Sequence, residues 1–302
     1  MKISIKNTAL TLGLVAVTSI AFGQKNIETS AAVEFKNKYM TSLMTGDVEA
    51  AKKALIAAKG FIDQAAVHED TKDNQKTLWL KGEIYANFLV LGMQSMDTAF
   101  IRKGGDDALD VSIAAFDKAY DAGNKMKSDV EQSVYQKIAL LNQFAGMTYN
   151  AEQYEAAGEL YETEAKYSDA IDQLDSAAVF NSSLCYEKAE KYEKAAIGYE
   201  RLAKVNYRGT TSAILASSSY RKAGNLEKAK AIISEARKTN PSDKELLLEL
   251  VNTNIDAGDA AGAEKALADA IKTDPNNKQL HYTIGTIYID LKENEKAETA
   301  LN

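Results

Sequence analysis

The chain has 302 residues, 26% of them charged and 45% hydrophobic, with a formal net charge of −7. That balance supports a sizeable core and excludes a nucleic-acid or anionic-membrane surface, both of which need a stripe of Lys and Arg. The single cysteine, Cys185, excludes an intramolecular disulfide framework.

In chain order, Lys2 and Lys6 precede an apolar run from Ala9 to Phe22 that closes on the small-x-small boundary Ala21-Phe22-Gly23. This reads as a cleaved export leader over residues 1–23, with Gln24 as the new N-terminus; the competing reading is a buried N-terminal helix. The run is too short for a membrane span. No cysteine follows the boundary, which argues against a lipid anchor there. A periplasmic or otherwise exported localisation is expected. A Gln directly after the boundary resembles exported proteins of Bacteroidota.

Residues 28–66 predict a first helical hairpin. Phe35, Tyr39 and Leu43 form an apolar stripe, Gly46-Asp47 breaks it, and Ala51, Leu55 and Ala58 form a second stripe. A polar connector, His68 to Asn74, leads into an irregular second hairpin over residues 75–125. Here Trp79, Gly82 and Tyr85 lie on a first helix, and Phe116 and Ala119 on a second. The step from Gly82 to Phe116 is more than twice the comparable step from Gly285 to Leu301. The extra stretch, residues 88–107, predicts a lengthened first helix followed by a loop. It is either a functional edge or a cover whose Met and Leu side chains complete the core. The N-terminal part therefore reads as irregular hairpins over 24–130, and the rest as a regular array over 131–302.

In that array Gly146, Tyr149, Ala157 and Tyr161 mark a third hairpin over 131–170, and a fourth follows over 176–209. From there one period dominates. Ala195, Ala229, Ala263 and Ala297 are evenly spaced. The same step separates Tyr186 from Tyr220, Leu250 from Ile284, and the only two prolines, Pro241 and Pro275. A fixed period of about 34 residues is the signature of a helical solenoid. Hairpins five (210–243), six (244–277) and seven (278–302) follow without a gap. Small residues such as Gly146, Gly285, Ala195, Ala229 and Ala263 are expected where two helices cross closely. Tyr186, Tyr220 and Tyr288 are expected between hairpins with the hydroxyl near a partner. Gly224-Asn225 and Gly258-Asp259 make the turns, and Asp243 and Asn277 cap the helices after each proline. The last helix is short, so a natural continuation beyond Asn302 is expected.

These residues resemble the tetratricopeptide repeat family: a large residue, a small one and Tyr on a first helix, then Ala-x3-large-x2-Ala and Pro on a second. His281, Ile284, Gly285, Tyr288, Ala297 and Leu301 show the pattern best. The resemblance implies an all-α, right-handed superhelical solenoid of helical hairpins whose first helices line a concave groove. At the fifth place stand Phe180, Ile214, Leu248 and Tyr282; at the ninth, Leu184, Ser218, Asn252 and Thr286; at the twelfth, Glu187, Arg221, Ile255 and Ile289. No Lys stands at the fifth place, so the carboxylate clamp of the family's chaperone-binding members does not carry over. The apolar row predicts an apolar peptide or helix as partner, on a groove of Phe180, Leu184, Ile214, Arg221, Leu248, Ile255, Tyr282 and Ile289, with Lys222 and Asp256 at its margin. The competing occupant is the chain's own continuation.

Signals for chemistry are weak. His68 and His281 stand on different hairpins, without metal spacing. Gly104-Gly105 is followed by Asp106-Asp107, which would repel a phosphate. Asn252, Asn254 and Asp256 imitate the start of a calcium loop but lack its Gly and its closing Glu. No Ser or Cys stands by a His base. The expectation is a non-enzymatic protein-binding scaffold of the cell envelope, without cofactor or metal. The alternative is a carbohydrate- or nutrient-binding accessory of outer-membrane uptake, against which the single Trp79 counts.

Overall fold

Apolar residues three and four apart, punctuated by Gly, Asp and Asn, set the chain into helices from its first described residue onward. The computed structural model describes residues 26–290 and 293–301. The leader expected over 1–23 and its boundary at Gln24 lie outside these. Among the described residues every regular element is helical. Two compact parts divide the described residues, one within 26–141 and 164–174 and the other within 142–163 and 175–301.

In the first part, α1 spans 26–44 and includes a π-helical stretch, Val33–Tyr39. The Phe35 and Tyr39 rings stack there at 5.2 Å, and both are buried. Asp47 accepts the Ala50 amide at 2.9 Å and starts α2 (Val48–Ala65). Such a cap contributes about 1 kcal/mol. α3 (Gln75–Gln94) is the lengthened helix that the sequence predicts. Beyond it the chain forms a short α4 (Thr98–Ile101) and a 3-10 turn, Arg102–Gly104, where the sequence predicts a loop. This excursion folds inward: Phe100 is buried and stacks on Phe88 at 5.2 Å, while Met96 at its tip is exposed. α5 (Ala108–Asp121) then takes the second-helix place. A methyl group on Gly82 would come within 2.8 Å of the Phe116 ring, so only Gly lets α3 and α5 cross there.

A polar network missed by the sequence reading crosses this core. Tyr39 donates to Asn87 Oδ1 at 2.9 Å, Asn87 donates to Glu83 Oε2 at 3.1 Å, and Lys137 donates to the same oxygen at 3.0 Å. Glu83, Asn87 and Lys137 are all buried. Most of the interspersed charges elsewhere in the described residues are solvated, but Glu83 and Lys137 are not.

Hairpin three is α6 (Lys127–Asn150) and α7 (Tyr154–Asp169), each contributing to both parts. One expectation fails in it. A methyl on Gly146 would meet no atom within 4 Å, so Gly146 is not at a close crossing. The buried small residue is its neighbour Ala145, one step round the helix.

In the second part the period is literal. α8 (Ser176–Lys188) and α9 (Tyr192–Lys204) form hairpin four, and α10 (Thr210–Lys222) and α11 (Leu226–Thr239) form hairpin five. Then α12 (Lys244–Asp256) and α13 (Ala260–Thr273) form six, and α14 (Lys278–Asp290) and α15 (Asn294–Leu301) form seven. The four first helices start at Ser176, Thr210, Lys244 and Lys278, in one constant step. Gly224 and Gly258 take the left-handed turn with φ of 79° and 67°, which suits a residue without Cβ. Asp243 accepts the Glu245 and Leu246 amides at 3.0 Å each, and Asn277 accepts the Leu280 amide at 3.4 Å, as expected of caps. Ala195, Ala229 and Ala263 are fully buried, and a methyl on Gly285 would come within 2.5 Å of Leu301. The result is a solenoid of helical hairpins in which each packs on its neighbours.

Candidate partner-binding surface

The fifth and twelfth residues of a helix are seven apart, two turns along one face. Because the first helices start in step, these places recur in the same orientation from hairpin to hairpin. Their surroundings differ. Phe180 is half-buried. Its ring meets Tyr199 edge-on at 5.7 Å, and the Arg208 guanidinium lies 3.9 Å above it. Arg208 holds a left-handed backbone, φ 57°, in the loop before α10. Leu184 and Ile214 are half-buried, and Ile214 packs on the cluster of Leu246, Leu247 and Leu250.

In hairpins six and seven the row opens. Leu248 is 37% exposed, Ile255 44%, Tyr282 59% and Ile289 52%. They stand at the fifth and twelfth places of α12 and α14. Beneath them Leu247, Leu250, Leu280 and Ile284 are buried in one cluster. The four outward side chains are therefore carried on a packed base.

The charged candidates are tied to neighbouring first helices. Arg221 Nε donates to Glu249 Oε1 at 2.9 Å, and its guanidinium also pairs with Asp256. Lys222 Nζ donates to Glu187 Oε1 at 2.6 Å. Arg221, Lys222 and Asp256 thus brace α8, α10 and α12 beside the apolar face.

A concavity of about 790 Å³ lies elsewhere, between α9 and α11. Glu200, Ala203, Lys204, Ala213, Ala231 and Ile232 are among the residues that line it. None of the residues predicted for the groove lines it.

Reactive chemistry finds no assembled site among the described residues. No group of three or more His, Cys, Asp or Glu side chains there could hold a metal ion. His68 Nδ1 accepts the Asp70 amide at 3.2 Å, and His281 Nε2 meets the Pro275 carbonyl at 2.8 Å. Cys185 is buried, and burial pushes its thiol up to about 11. Asn252, Asn254 and Asp256 lie within α12 rather than in a loop. No helix of the described residues is long and apolar enough to cross a membrane.

Stacked two-helix units with recurring outward places define a helical repeat scaffold. Two tetratricopeptide repeat profiles match the chain, over residues 214–277 and 254–302. Residues 214–302, most of the last three hairpins, therefore match tetratricopeptide repeats. No curated protein matches it. Among solved structures, it is similar to MamA from Desulfovibrio magneticus RS-1, with 13% identity over 54% of this chain and 90% of that one, TM-score 0.44. It is similar to YrrB, described as a tetratricopeptide repeat protein with an unusual peptide-binding site, with 16% identity over 59% and 89% of the chains, TM-score 0.42. A tetratricopeptide repeat protein from Parabacteroides merdae is 15% identical over 90% and 91%, TM-score 0.36.

Proposed function

We propose that the chain is a non-enzymatic scaffold of the bacterial cell envelope that holds an apolar peptide or helix against the first helices of hairpins six and seven. The observation that supports this is the set of four outward apolar side chains, Leu248, Ile255, Tyr282 and Ile289, at two recurring places. Apolar side chains displayed at matching places on consecutive helices suit a partner's apolar segment. Phe180, Leu184 and Ile214 continue the row at its more covered end, with Arg221 at its margin. The carbohydrate reading is the weaker one. Trp79, the residue best suited to stack on a sugar, donates to Ser133 at 2.9 Å and lies under Lys36, 4.5 Å from its ring centre.

The test places a photo-crosslinking residue at Tyr282 and maps adducts formed in whole envelopes by mass spectrometry. The same protein with Leu248→Glu and Ile255→Glu serves as the comparison. The reading expects one dominant apolar segment to be captured, and its yield to fall more than tenfold in the double variant, about 1.4 kcal/mol. Unchanged adducts in a folded double variant would reject it.

Export rests on Lys2, Lys6 and the Ala21-Phe22-Gly23 boundary. Mass spectrometry of the native protein is expected to find Gln24 as the first residue. Retention of Met1 in a cytoplasmic fraction would reject this part.

A further inference from the structure

Three seams between consecutive hairpins of the second part are closed by one device. Tyr186 donates to Glu162 at 2.5 Å, Tyr220 to Glu200 at 2.7 Å, and Tyr288 to Glu264 at 2.9 Å. Each tyrosine is on a first helix and each acceptor on the second helix of the preceding hairpin. Eight places after each tyrosine a lysine covers its ring: Lys194 at 4.7 Å, Lys228 at 4.8 Å and Lys296 at 5.2 Å.

The seam between hairpins five and six lacks every part of this device. Asn254 stands midway between Tyr220 and Tyr288, at the place where the repeat calls for a tyrosine. It is 2% exposed, and its Oδ1 accepts no hydrogen bond from the protein. Glu162 and Glu264 precede their tyrosines by the same interval. The residue at that interval before Asn254 is Lys230, of opposite charge. The place of the covering lysine is Gly262.

A different contact takes over. Lys230 Nζ donates to Asp259 Oδ2 at 2.9 Å, and Asp259 Oδ1 accepts the Gly262 amide at 2.8 Å. Gly262 is part of the arrangement, since a side chain there would collide with the Asp259 carboxylate. The Lys230 and Asp259 side chains are 43% and 40% exposed. On the first-helix side of the same seam, Arg221 and Glu249 form a much more covered pair, 17% and 7% exposed. Exposed ion pairs are screened by salt, while covered ones are screened far less.

We propose that the joint between hairpins five and six is a salt-sensitive hinge. Arg221 and Glu249 are its pivot, and Lys230 and Asp259 its latch on the second-helix side. Apolar packing of Ala213 and Ile233 with Leu246 and Leu247 keeps the two hairpins in step, so the joint flexes without separating. Hairpins six and seven move as one block, because Tyr288 and Glu264 lock the seam between them. The proposal stands independently of what binds their outward face.

The test uses paired spin labels on the full chain in a Cys185→Ala background. One pair, Glu227→Cys with Lys265→Cys, spans the hinge. The control pair, Ile197→Cys with Glu227→Cys, spans the tyrosine-locked seam before it. Distance distributions are compared at about 20 mM and about 0.5 M NaCl, where the screening length falls from roughly 20 Å to roughly 4 Å. The hinge pair is expected to broaden at least twofold with salt and the control pair to stay constant. Asp259→Asn keeps an acceptor for the Gly262 amide and removes the latch charge. It is expected to show the broad distribution already at low salt and less than half the parent's further response, the remainder coming from the longer Arg237–Asp269 pair at 3.9 Å. Equal responses of both pairs, or a narrow low-salt distribution in Asp259→Asn, would overturn the proposal.

Discussion

Tyr220 donates to Glu200 at 2.7 Å from a fully buried ring, tying hairpin five to hairpin four at one point. The ring fills the seam, and the hydroxyl reaches a charged acceptor at its edge. Tyr220→Ala removes both and is expected to cost about 3–5 kcal/mol, as large-to-small core changes do. Tyr220→Phe keeps the ring and is expected to cost about 1.5–3 kcal/mol. Denaturant midpoints with unchanged slopes are the measurement. An unaltered midpoint in Tyr220→Ala would show that the ring does not hold the seam.

The buried pair of Lys137 and Glu83 gives a sharper contrast. Lys137→Met leaves a buried carboxylate facing no cation and is expected to cost about 3–5 kcal/mol. Lys137→Met combined with Glu83→Gln removes both charges and is expected to recover most of that loss. A double-mutant cycle by urea unfolding decides it: additive losses would mean that the two groups do not interact.

Alkaline pH is expected to weaken the fold. Burial pushes the phenols of Tyr39, Tyr167, Tyr186, Tyr199 and Tyr220 upward, reinforced at Tyr186 and Tyr220 by the carboxylates of Glu162 and Glu200. In the unfolded chain they ionise near pH 10. Above that pH the folded state binds more protons than the unfolded one, so stability is complete below about pH 10 and falls as pH rises. Urea midpoints from pH 8 to 11 test this. Tyr220→Phe is expected to lessen the decline; a flat profile in the parent chain would contradict the account.

Cys185 is expected to be inert in the folded chain, since the thiolate is the nucleophile and burial keeps the thiol protonated, near 11. Reaction with a disulfide reagent should follow unfolding, with less than one-tenth of the thiol modified in native buffer over the time that urea-unfolded protein reacts fully. Rapid native reaction would show that α8 opens locally.

The helix starts at Lys244 and Lys278 were legible because a proline and then Asp243 or Asn277 mark them in the sequence, and the start at Thr210 because the constant repeat step places it. Hydrogen bonding of the repeat tyrosines was legible in kind but not in partner, since each acceptor lies on another hairpin. Glu83 and Lys137 are far apart in the chain, and nothing local distinguishes them from solvated charges. A hint exists in hindsight: Glu83 and Asn87, one turn apart, put two polar side chains among the apolar residues of α3. In the row of candidate residues, the recurring places were readable but their exposure was not. Phe180 is covered because the loop before α10 departs from the Pro-containing turn of later hairpins and brings Arg208 over the ring. Gly146 misled because a small residue one step off the crossing looks the same in sequence as one on it.

Gly82 meets Phe116 across a connection more than twice as long as the one between Gly285 and Leu301, yet both pairs make the same helix crossing. Doubling a connecting segment adds only about 0.6 kcal/mol of closure entropy. The excursion between α3 and α5 is therefore a cassette: its length can change without shifting the phase of any hairpin downstream, so long as a side chain such as Phe100 still covers Phe88.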